Sequence, residues 1–333
     1  MRIAVVGCGA VGSFYGAKLA WTGHEVHFLL RSDYEAVRRN GVQVQSPQGD
    51  FHVKPGCARM PEEIGPCDVV LIGLKTTANA EFERLLPPLV GSTTAILTLQ
   101  NGLGNEEQLA KLFPSEQIMG GLCFVCLNRT APGVIRHMDH GLVVLGEFGR
   151  WPEPRTHQIA EHFRQAGVSC HVTDNLARSH WEKLCWNIPF NGLGVAGTAG
   201  FEIVSSRAPL GEQSSNCAPT EAQRNTLTTQ DLLEDAHWSA LVRELMIEII
   251  HSAHALGFDV PESLADKQIE RTRTMGPYKA STLIDFERKL PLELESMFLE
   301  PLRQANKAGA SVSKLERLCQ VLTALDPGKP KPN

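Results

Sequence analysis

A short apolar run near the start of the chain leads directly into a glycine motif, and this junction constrains the fold more than any other feature. Residues 3–6 read Ile-Ala-Val-Val, a composition typical of a buried strand. The motif GCGAVG follows at residues 7–12, and a helix is predicted over residues 10–21. A GxGxxG motif between a strand and a helix indicates a turn that approaches a dinucleotide pyrophosphate. A tight turn without a ligand is the competing interpretation.

The positions within this motif have separate predicted roles. Gly7 permits the tight turn, Gly9 lets the backbone approach the pyrophosphate, and Gly12 lets the helix lie close to the sheet. Ala10 and Val11 open the helix, whose first N–H groups lack intrahelical partners and are expected to face the phosphates. We therefore predict a dinucleotide site at the beginning of the chain.

Apolar runs alternating with helical patterns predict the rest of the first domain. Strands are expected at residues 25–30, 68–74, 94–99 and 168–172, and helices at residues 77–86 and 155–165. This order, with continuous apolar strands, is typical of a parallel sheet covered on both faces. Turn signals between residues 120 and 147 predict antiparallel strands at the sheet edge.

Strand signals nearly vanish after residue 174. Helical patterns cover residues 175–188, 229–256, 262–272 and 291–324. The predicted fold class is α/β, with an N-terminal Rossmann-type doubly wound sheet and a C-terminal all-helical domain. The predicted domains are a cofactor-binding domain at residues 1–174 and a helical substrate and catalytic domain at residues 175–326. Within the latter, the polar residues 203–228 are interpreted as a mobile insertion, and the tail 326–333 is expected to be disordered.

Composition excludes several classes of function. The chain has 333 residues, 42% hydrophobic and 21% charged, with a net charge of −5 and no long basic run, which argues against a nucleic-acid partner. No apolar run is long enough for a membrane span and no signal peptide is recognised, so a cytoplasmic location is expected. The nine cysteines have irregular spacing, and Cys123 and Cys126 lie in an apolar strand pattern, so neither a disulfide framework nor a metal site is predicted.

The end of the second strand predicts the choice of cofactor. An acid at this position usually binds the ribose hydroxyls of NAD, whereas this chain has Arg31 and then Ser32. A guanidinium suits the 2′-phosphate of NADP, and the serine hydroxyl adds a donor. The alternative is that Arg31 is a solvated charge and that Asp33 binds the ribose of NAD, but Asp33 is more simply interpreted as a helix N-cap. NADPH is therefore the predicted cofactor.

Two further strand ends carry polar residues. Lys75 follows the third long strand and Asn101 follows the fourth, where ligands of open α/β sheets bind. Lys75 is predicted to meet the cofactor or the substrate, with a solvated lysine as the alternative. Asn101 is predicted to lie near the nicotinamide, with a simple Asn-Gly turn as the alternative.

Residues 179–191 contain the best candidates for catalysis. Lys183, Asn187 and Asn191 are spaced four apart, so on a helix they share one face. A reductase must give a proton to the alkoxide that hydride transfer creates, and a lysine can supply it. Pro189 is expected to kink or end the helix, which leaves the position of Asn191 open. The alternative is a surface lysine with two helix-terminal asparagines.

The chain resembles the ketopantoate reductase (2-dehydropantoate 2-reductase) family. The resemblance spans residues 1–324, apart from the polar insertion, and the shared motifs are GCGAVG, LLR, LKT, QNGLG, WEKLCWN and STLIDFERKLPLELE. It implies NADPH-dependent reduction of 2-dehydropantoate to pantoate in pantothenate and coenzyme A biosynthesis.

The resemblance also implies roles for individual residues. Lys183 would donate the proton and Glu293 would accept a hydrogen bond from the substrate hydroxyl. The residues implied in substrate binding are Asn101, Asn187, Asn191, Ser281 and Asp285.

Some positions depart from the family pattern. Pro189 precedes Asn191, Tyr278 stands where a polar residue is usual, and the insertion follows the WEKLCWN segment. Two alternatives therefore stay open: a reductase or dehydrogenase of another small 2-oxo or hydroxy acid, and a non-enzymatic NADPH-binding sensor. The expected partner is a small 2-oxo acid, and a homodimer is left open.

Overall fold

In a computed structural model, the structure describes residues 1–206 and 226–328. The described chain forms two compact units, Met1–Ser179 and His180–Asn333, and each is described by itself. Most of the predicted insertion and the last five residues lie outside the described residues. In the described ranges, no helix is long and apolar enough to cross a membrane.

The first unit contains a ten-stranded sheet. The strands are β1 Arg2–Val6, β2 Glu25–Leu29, β3 Val42–Gln45, β4 Phe51–Val53, β5 Gly56–Ala58, β6 Cys67–Ile72, β7 Val90–Thr98, β8 Ile118–Ala131, β9 Val134–Glu147 and β10 Cys170–Val172. Their order is β4-β3-β9-β8-β7-β6-β1-β2-β5, and β10 pairs with β9. The segment β8-β7-β6-β1-β2-β5 is parallel throughout, as predicted for a doubly wound sheet.

Helices cover both faces of this sheet. They are α1 Ala10–Trp21, α2 Tyr34–Asn40, α3 Phe82–Leu85, α4 Asn105–Leu109 and α5 Pro154–Gln165. In β1, Ile3 and Val5 belong to one core cluster with Phe14 of α1 and Phe163 of α5. Ala4 and Val6 belong to a second cluster on the opposite face. The continuous apolar pattern of β1 therefore reflects burial on both sides.

Two predictions for this unit were wrong in detail. The β8–β9 pair is antiparallel, but it is not at the sheet edge, because β3 and β4 continue the sheet beyond β9. Strand β3 is short and distant in sequence, so no local pattern predicts this pairing. The helix expected at residues 77–86 is a 3₁₀ segment, Thr76–Glu81, followed by the single turn of α3. Threonine and asparagine, which are weak helix formers, occupy the 3₁₀ part.

All regular structure in the described part of the second unit is helical. Helix α6, Leu176–Ala196, contains the division between the units. The remaining helices are α7 Phe201–Ser205, α8 Thr229–Glu234, α9 Ala236–Ala255, α10 Ser263–Arg273, α11 Ser281–Glu287, α12 Glu300–Lys307 and α13 Ser313–Leu325. A π-helical turn, Glu295–Leu299, precedes α12. The predicted class, a Rossmann-type sheet followed by an all-helical region, is confirmed.

The second unit also departs from prediction. Helix α11 was not predicted, and the helical stretch expected at residues 291–324 is divided, with Gly309 at φ +75° in the break between α12 and α13. Both flanks of the predicted insertion are ordered: α7 occupies its start, and the Thr228 side chain caps α8. The mobility predicted for the residues between them falls outside the described residues.

Candidate functional site

The carboxyl ends of four neighbouring parallel strands lie at one level of the sheet. The register pairs Val6 of β1 with Leu29 of β2 and with Ile72 of β6, and it pairs Ile72 with Thr98 of β7. The predicted cofactor residues follow these four strands in the sequence: Gly7, Arg31, Lys75 and Asn101. The topology therefore brings four separately predicted segments to one edge of the sheet.

The glycine turn after β1 is packed too closely for a side chain at two of its positions. Gly7 has φ +93°, and a Cβ there would lie 2.2 Å from the backbone nitrogen of Leu74. A Cβ on Gly12 would lie 2.2 Å from the carbonyl oxygen of Gly7. The sequence interpretation assigned no role to Gly73, yet a Cβ on Gly73 would lie 2.8 Å from the backbone of Gly12. These three glycines let α1 and the β6 loop approach the turn.

Gly9 differs from these glycines because it faces open space. A Cβ added to Gly9 would meet no heavy atom within 4 Å, so internal packing does not require glycine there. Gly9 is the N-cap of α1, and no side chain caps this helix end. The first-turn N–H groups of an α-helix lack intrahelical partners, and Ala10 and Val11 supply two of them. An open backbone beside such N–H groups fits the pyrophosphate of a dinucleotide.

The segment after β2 carries the charges that bear on cofactor choice. Arg31 is exposed, as a ligand-binding cation at a strand tip should be. Asp33 is buried, and Oδ2 accepts a hydrogen bond from Nη1 of Arg129 at 2.5 Å. Burial raises the pKa of the Asp33 carboxyl, but the hydrogen bonds from Arg129 and Ser32 outweigh it and keep the pKa below its ordinary value. Asp33 occupies the N-cap position of α2, as interpreted from the sequence, but its side chain makes no capping hydrogen bond.

A polar network supports the loop that carries Asn101. The side chain of Asn105 donates to the carbonyl oxygen of Asn101 at 3.1 Å, and Asn79 donates to Asn105 at 3.0 Å. Gln100 in turn donates to Asn79 at 2.7 Å. The sequence interpretation missed Asn79 and Asn105, because their roles depend on contacts between separate loops. Lys75 lies exposed at the start of the neighbouring loop.

Helix α6 places the three predicted polar residues of the second unit on one face. Lys183, Asn187 and Asn191 are spaced four apart within one continuous helix, and all three are buried, with Asn191 only 2% exposed. Pro189 was predicted to kink or end the helix. It does not end the helix, which continues to Ala196. Because the helix continues past Pro189, Asn191 keeps its place in the row.

The contacts of Asn191 determine the orientation of its amide. Its Oδ1 accepts from the backbone N–H of Thr282 at 3.1 Å and from the hydroxyl of Ser281 at 3.2 Å. Because a backbone N–H needs an acceptor, the amide oxygen must face Thr282, and the two N–H donors of Nδ2 face elsewhere. Helix α11 thus joins Ser281 to the polar row of α6, although these residues are far apart in the sequence.

The other two predicted residues lie after this contact in the chain. Asp285 is buried on α11, and Glu293 is half-buried immediately before the helical segment that begins at Leu294. Glu293 accepts the backbone N–H of Met297 through its carbonyl oxygen at 3.2 Å, at the start of the π-helical turn. π-Helical turns are rare in proteins, and those that do occur often lie at functional sites.

Aromatic rings lie beside the polar row. The Trp186 ring is 5.0 Å from the Phe190 ring and 6.4 Å from the Tyr278 ring, measured between centroids. The indole N–H of Trp186 donates to Thr272 at 2.8 Å. Since Trp186 precedes Asn187 and Tyr278 lies shortly before Ser281, the second unit combines amides with a half-buried aromatic surface.

Other chemistry-bearing residues have structural explanations. Cys123 and Cys126 are buried in β8, and no disulfide is formed by the eight described cysteines. His251 contacts Glu262 at 2.8 Å, and His254 contacts the carbonyl oxygen of Val260 at 2.5 Å. Among the described residues, no group of three potential ligands could hold a metal.

Comparison with known proteins assigns the family. The model of "Ketopantoate reductase PanE/ApbA" matches residues 3–150, and that of its C-terminal domain matches residues 222–326. The chain belongs to the ketopantoate reductase family. It is 36% identical to 2-dehydropantoate 2-reductase of Nostoc sp., with 98% of this chain and 95% of the relative covered.

Solved structures agree with this assignment. A 2-dehydropantoate 2-reductase from Geobacter metallireducens is 43% identical, with a TM-score of 0.87 over 97% of this chain and 99% of that one. A second, from Methylococcus capsulatus, is 32% identical, with a TM-score of 0.83 over 99% of both chains. The resemblance stated from the motifs is therefore confirmed over nearly the whole chain.

Proposed function

We propose that this ketopantoate reductase family member reduces 2-dehydropantoate to pantoate with NADPH. The observation that carries the proposal is the buried row of Lys183, Asn187 and Asn191, with Ser281 joined to Asn191. It combines one cation with neutral donors on one helix face. This set suits a substrate that has a carboxylate and a ketone beside it.

The first unit supplies the cofactor residues. The main chain at Gly9, Ala10 and Val11 binds the pyrophosphate, while Gly7 and Gly12 shape the turn. Arg31 binds the 2′-phosphate, and Lys75 adds a second cation. Asn101 contacts cofactor and substrate at the end of β7. When bound, NADPH supplies the hydride.

Lys183 acts as the general acid. Hydride arrival at the ketone creates negative charge on its oxygen, and the Lys183 ammonium stabilises that charge and then gives it a proton. Burial of Lys183 and Asn187 excludes water and makes each hydrogen bond stronger than it would be at the surface. The reaction is a two-electron reduction of the ketone to an alcohol, with the proton drawn from the lysine.

The amides and the serine bind the carboxylate. Since Oδ1 of Asn191 is held by α11, its Nδ2 donors are available to an anion. The single Ser281 proton is donated to Asn191, so Ser281 binds a carboxylate only after its hydroxyl rotates. Glu293 accepts a hydrogen bond from the substrate hydroxyl. Asp285 is buried on α11, the helix that begins at Ser281.

A matched pair of substrates tests this assignment. 3,3-Dimethyl-2-oxobutanoate has the carbon skeleton of 2-dehydropantoate without the hydroxyl. We expect wild type to prefer 2-dehydropantoate by about 10² or more in kcat/KM, since a site that binds a hydroxyl rejects the analogue lacking it. Glu293→Ala should remove most of this preference, while Glu295→Ala, an exposed neighbour, should keep it. Equal use of both substrates by wild type would contradict the substrate assignment.

A second candidate substrate class is an apolar or aromatic 2-oxo acid. It is favoured by the Trp186–Tyr278 ring pair beside the amides, since Tyr278 stands where the family pattern has a polar side chain. The same assay separates the two, because an apolar site would prefer the analogue without the hydroxyl. An NADPH-binding sensor would show no substrate-dependent oxidation at all.

A further inference from the structure

The only acid immediately beyond the tip of β2 is held by an arginine from a distant strand. Asp33 is 7% exposed, and its carboxylate accepts from Arg129 of β8 at 2.5 Å and from Ser32 at 2.9 Å. A backbone hydrogen bond from Gly133, in the β8–β9 turn, also favours the charged carboxylate. Both oxygens of Asp33 therefore have donors from the protein itself.

The next acid along the chain is paired in a similar way. Glu35 accepts from Arg59 at 2.7 Å, but both of these side chains are more than half exposed. The Asp33–Arg129 pair is more buried, so solvent screens it less. With both acids compensated, the positive charge of the exposed Arg31 is not cancelled by its neighbours.

The charge at this position distinguishes the two nicotinamide cofactors. An acid beyond β2 accepts the ribose hydroxyls of NAD and repels the 2′-phosphate of NADP. Asp33 could do both if it were unpaired. Held by Arg129, its carboxylate is neither available to a ribose nor an uncompensated negative charge near a phosphate.

We propose that Arg129 is a positioning residue for cofactor specificity, which makes the chain selective for NADPH by pairing with Asp33. The inference rests on the NADPH-dependent function proposed above, and it extends that function to a residue outside the glycine motif and the β2 tip. Arg129 acts through Asp33, and Arg31 remains the residue that binds the phosphate.

Binding of cofactor fragments tests this role without any substrate. Wild type, Arg129→Gln and the matched control Arg59→Gln are titrated with 2′,5′-ADP and with 5′-AMP, which differ in the 2′-phosphate. Arg129→Gln should weaken binding of 2′,5′-ADP by about tenfold with little change for 5′-AMP, because it uncovers the Asp33 charge. Arg59→Gln should change either ligand by about twofold at most. NADPH should behave like 2′,5′-ADP, and NADH should behave like 5′-AMP.

Rescue variants separate this role from a structural one. Arg129→Lys keeps the positive charge and should retain most of the preference for 2′,5′-ADP over 5′-AMP. The double variant Asp33→Asn with Arg129→Gln removes both charges and should restore the preference that Arg129→Gln loses. Asp33→Asn alone should bind NADPH at least as well as wild type and leave NADH unchanged. These variants decide the proposal even if Arg129→Gln alone fails to fold.

The outcomes distinguish the two levels of the proposal. A wild type without preference for 2′,5′-ADP over 5′-AMP contradicts the NADPH assignment itself. A preference kept in Arg129→Gln, with only thermal stability lowered, overturns the role of Arg129 and leaves the assignment intact. Selective loss of NADH binding in Asp33→Asn would make Asp33 a ribose acceptor and would also overturn the inference.

Discussion

The glycine turn of the first unit and the polar row of the second, the two proposed binding sites, are built by different means. In the turn, Gly7 and Gly12 contribute the absence of side chains, and the proposed contacts to the cofactor come from backbone N–H groups. In the row, the proposed contacts to the substrate come from buried side chains, and the amide of Asn191 is oriented by a contact with α11. A backbone site tolerates little change in shape, whereas a side-chain site depends on the chemistry of each residue.

The comparison is tested most strongly at Lys183. We expect Lys183→Ala to lower kcat by about 10²–10⁴, as is usual when a general acid is removed. NADPH affinity should stay nearly unchanged, because the cofactor residues belong to the glycine turn and its neighbours. Steady-state kinetics and NADPH fluorescence titration measure the two quantities. The control Lys267→Ala removes an exposed lysine from α10 and should leave both unchanged, and wild-type turnover by Lys183→Ala would exclude the assigned role.

Gly7 and Gly9 test whether the turn has separate structural and binding positions. Gly7→Ala forces a Cβ into backbone atoms at positive φ, so we expect a loss of unfolding free energy of about 3 kcal/mol or more. Gly9→Ala meets nothing in the protein and should change stability by less than about 0.5 kcal/mol. It should nevertheless weaken NADPH binding by about tenfold, because the Cβ occupies the space assigned to the pyrophosphate. Denaturant unfolding measures the stability of both variants, and fluorescence titration measures their NADPH affinity. Tight NADPH binding by Gly9→Ala would argue against placing the pyrophosphate beside Gly9.

Asn191→Ala should show how much the polar row contributes to the stability of the fold. The substitution leaves the buried N–H of Thr282 without its acceptor, which costs about 1–3 kcal/mol of unfolding free energy. KM for the 2-oxo acid should rise as well, while NADPH affinity remains. Asn187→Ala, which has no such bond to α11 among the contacts described, serves as the comparison for stability. Equal stability losses in the two variants would show that the α11 contact is not what distinguishes them.

The smallest expected effect concerns the pH dependence of the Asp33–Arg129 pair. Because the pKa of Asp33 is held below its ordinary value, the pair stabilises the fold above about pH 4, where the unfolded carboxyl is ionised. This contribution is lost as the pH falls through the lowered pKa. The stability difference between wild type and Asp33→Asn should therefore shrink on acidification, as urea unfolding at several pH values would show. A difference independent of pH would mean that the ion pair contributes nothing.

Much of the first site could be predicted because its signals are local. The GCGAVG motif, Arg31 and Asn101 each follow a recognisable apolar strand, and parallel strands end at one edge of the sheet. What could not be predicted depends on long-range contacts. Gly73 packs on Gly12, and Arg129 reaches Asp33 from a strand whose place in the sheet was wrongly predicted.

The second site was predictable in composition but not in geometry. The four-residue spacing of Lys183, Asn187 and Asn191 predicted the shared face, and the family resemblance pointed to Ser281. The effect of Pro189 was overestimated, since a proline within a helix removes one backbone hydrogen bond but does not always end the helix. The contact between Asn191 and α11 required the fold, because no local pattern predicted α11.

The most direct test of the central claim is the initial rate of NADPH oxidation by the wild-type chain with 2-dehydropantoate. The account predicts saturable oxidation, formation of pantoate in equal amount, and a much slower rate with NADH. Tight NADPH binding without 2-dehydropantoate-dependent oxidation would contradict the proposed reaction, whatever the fold and the family.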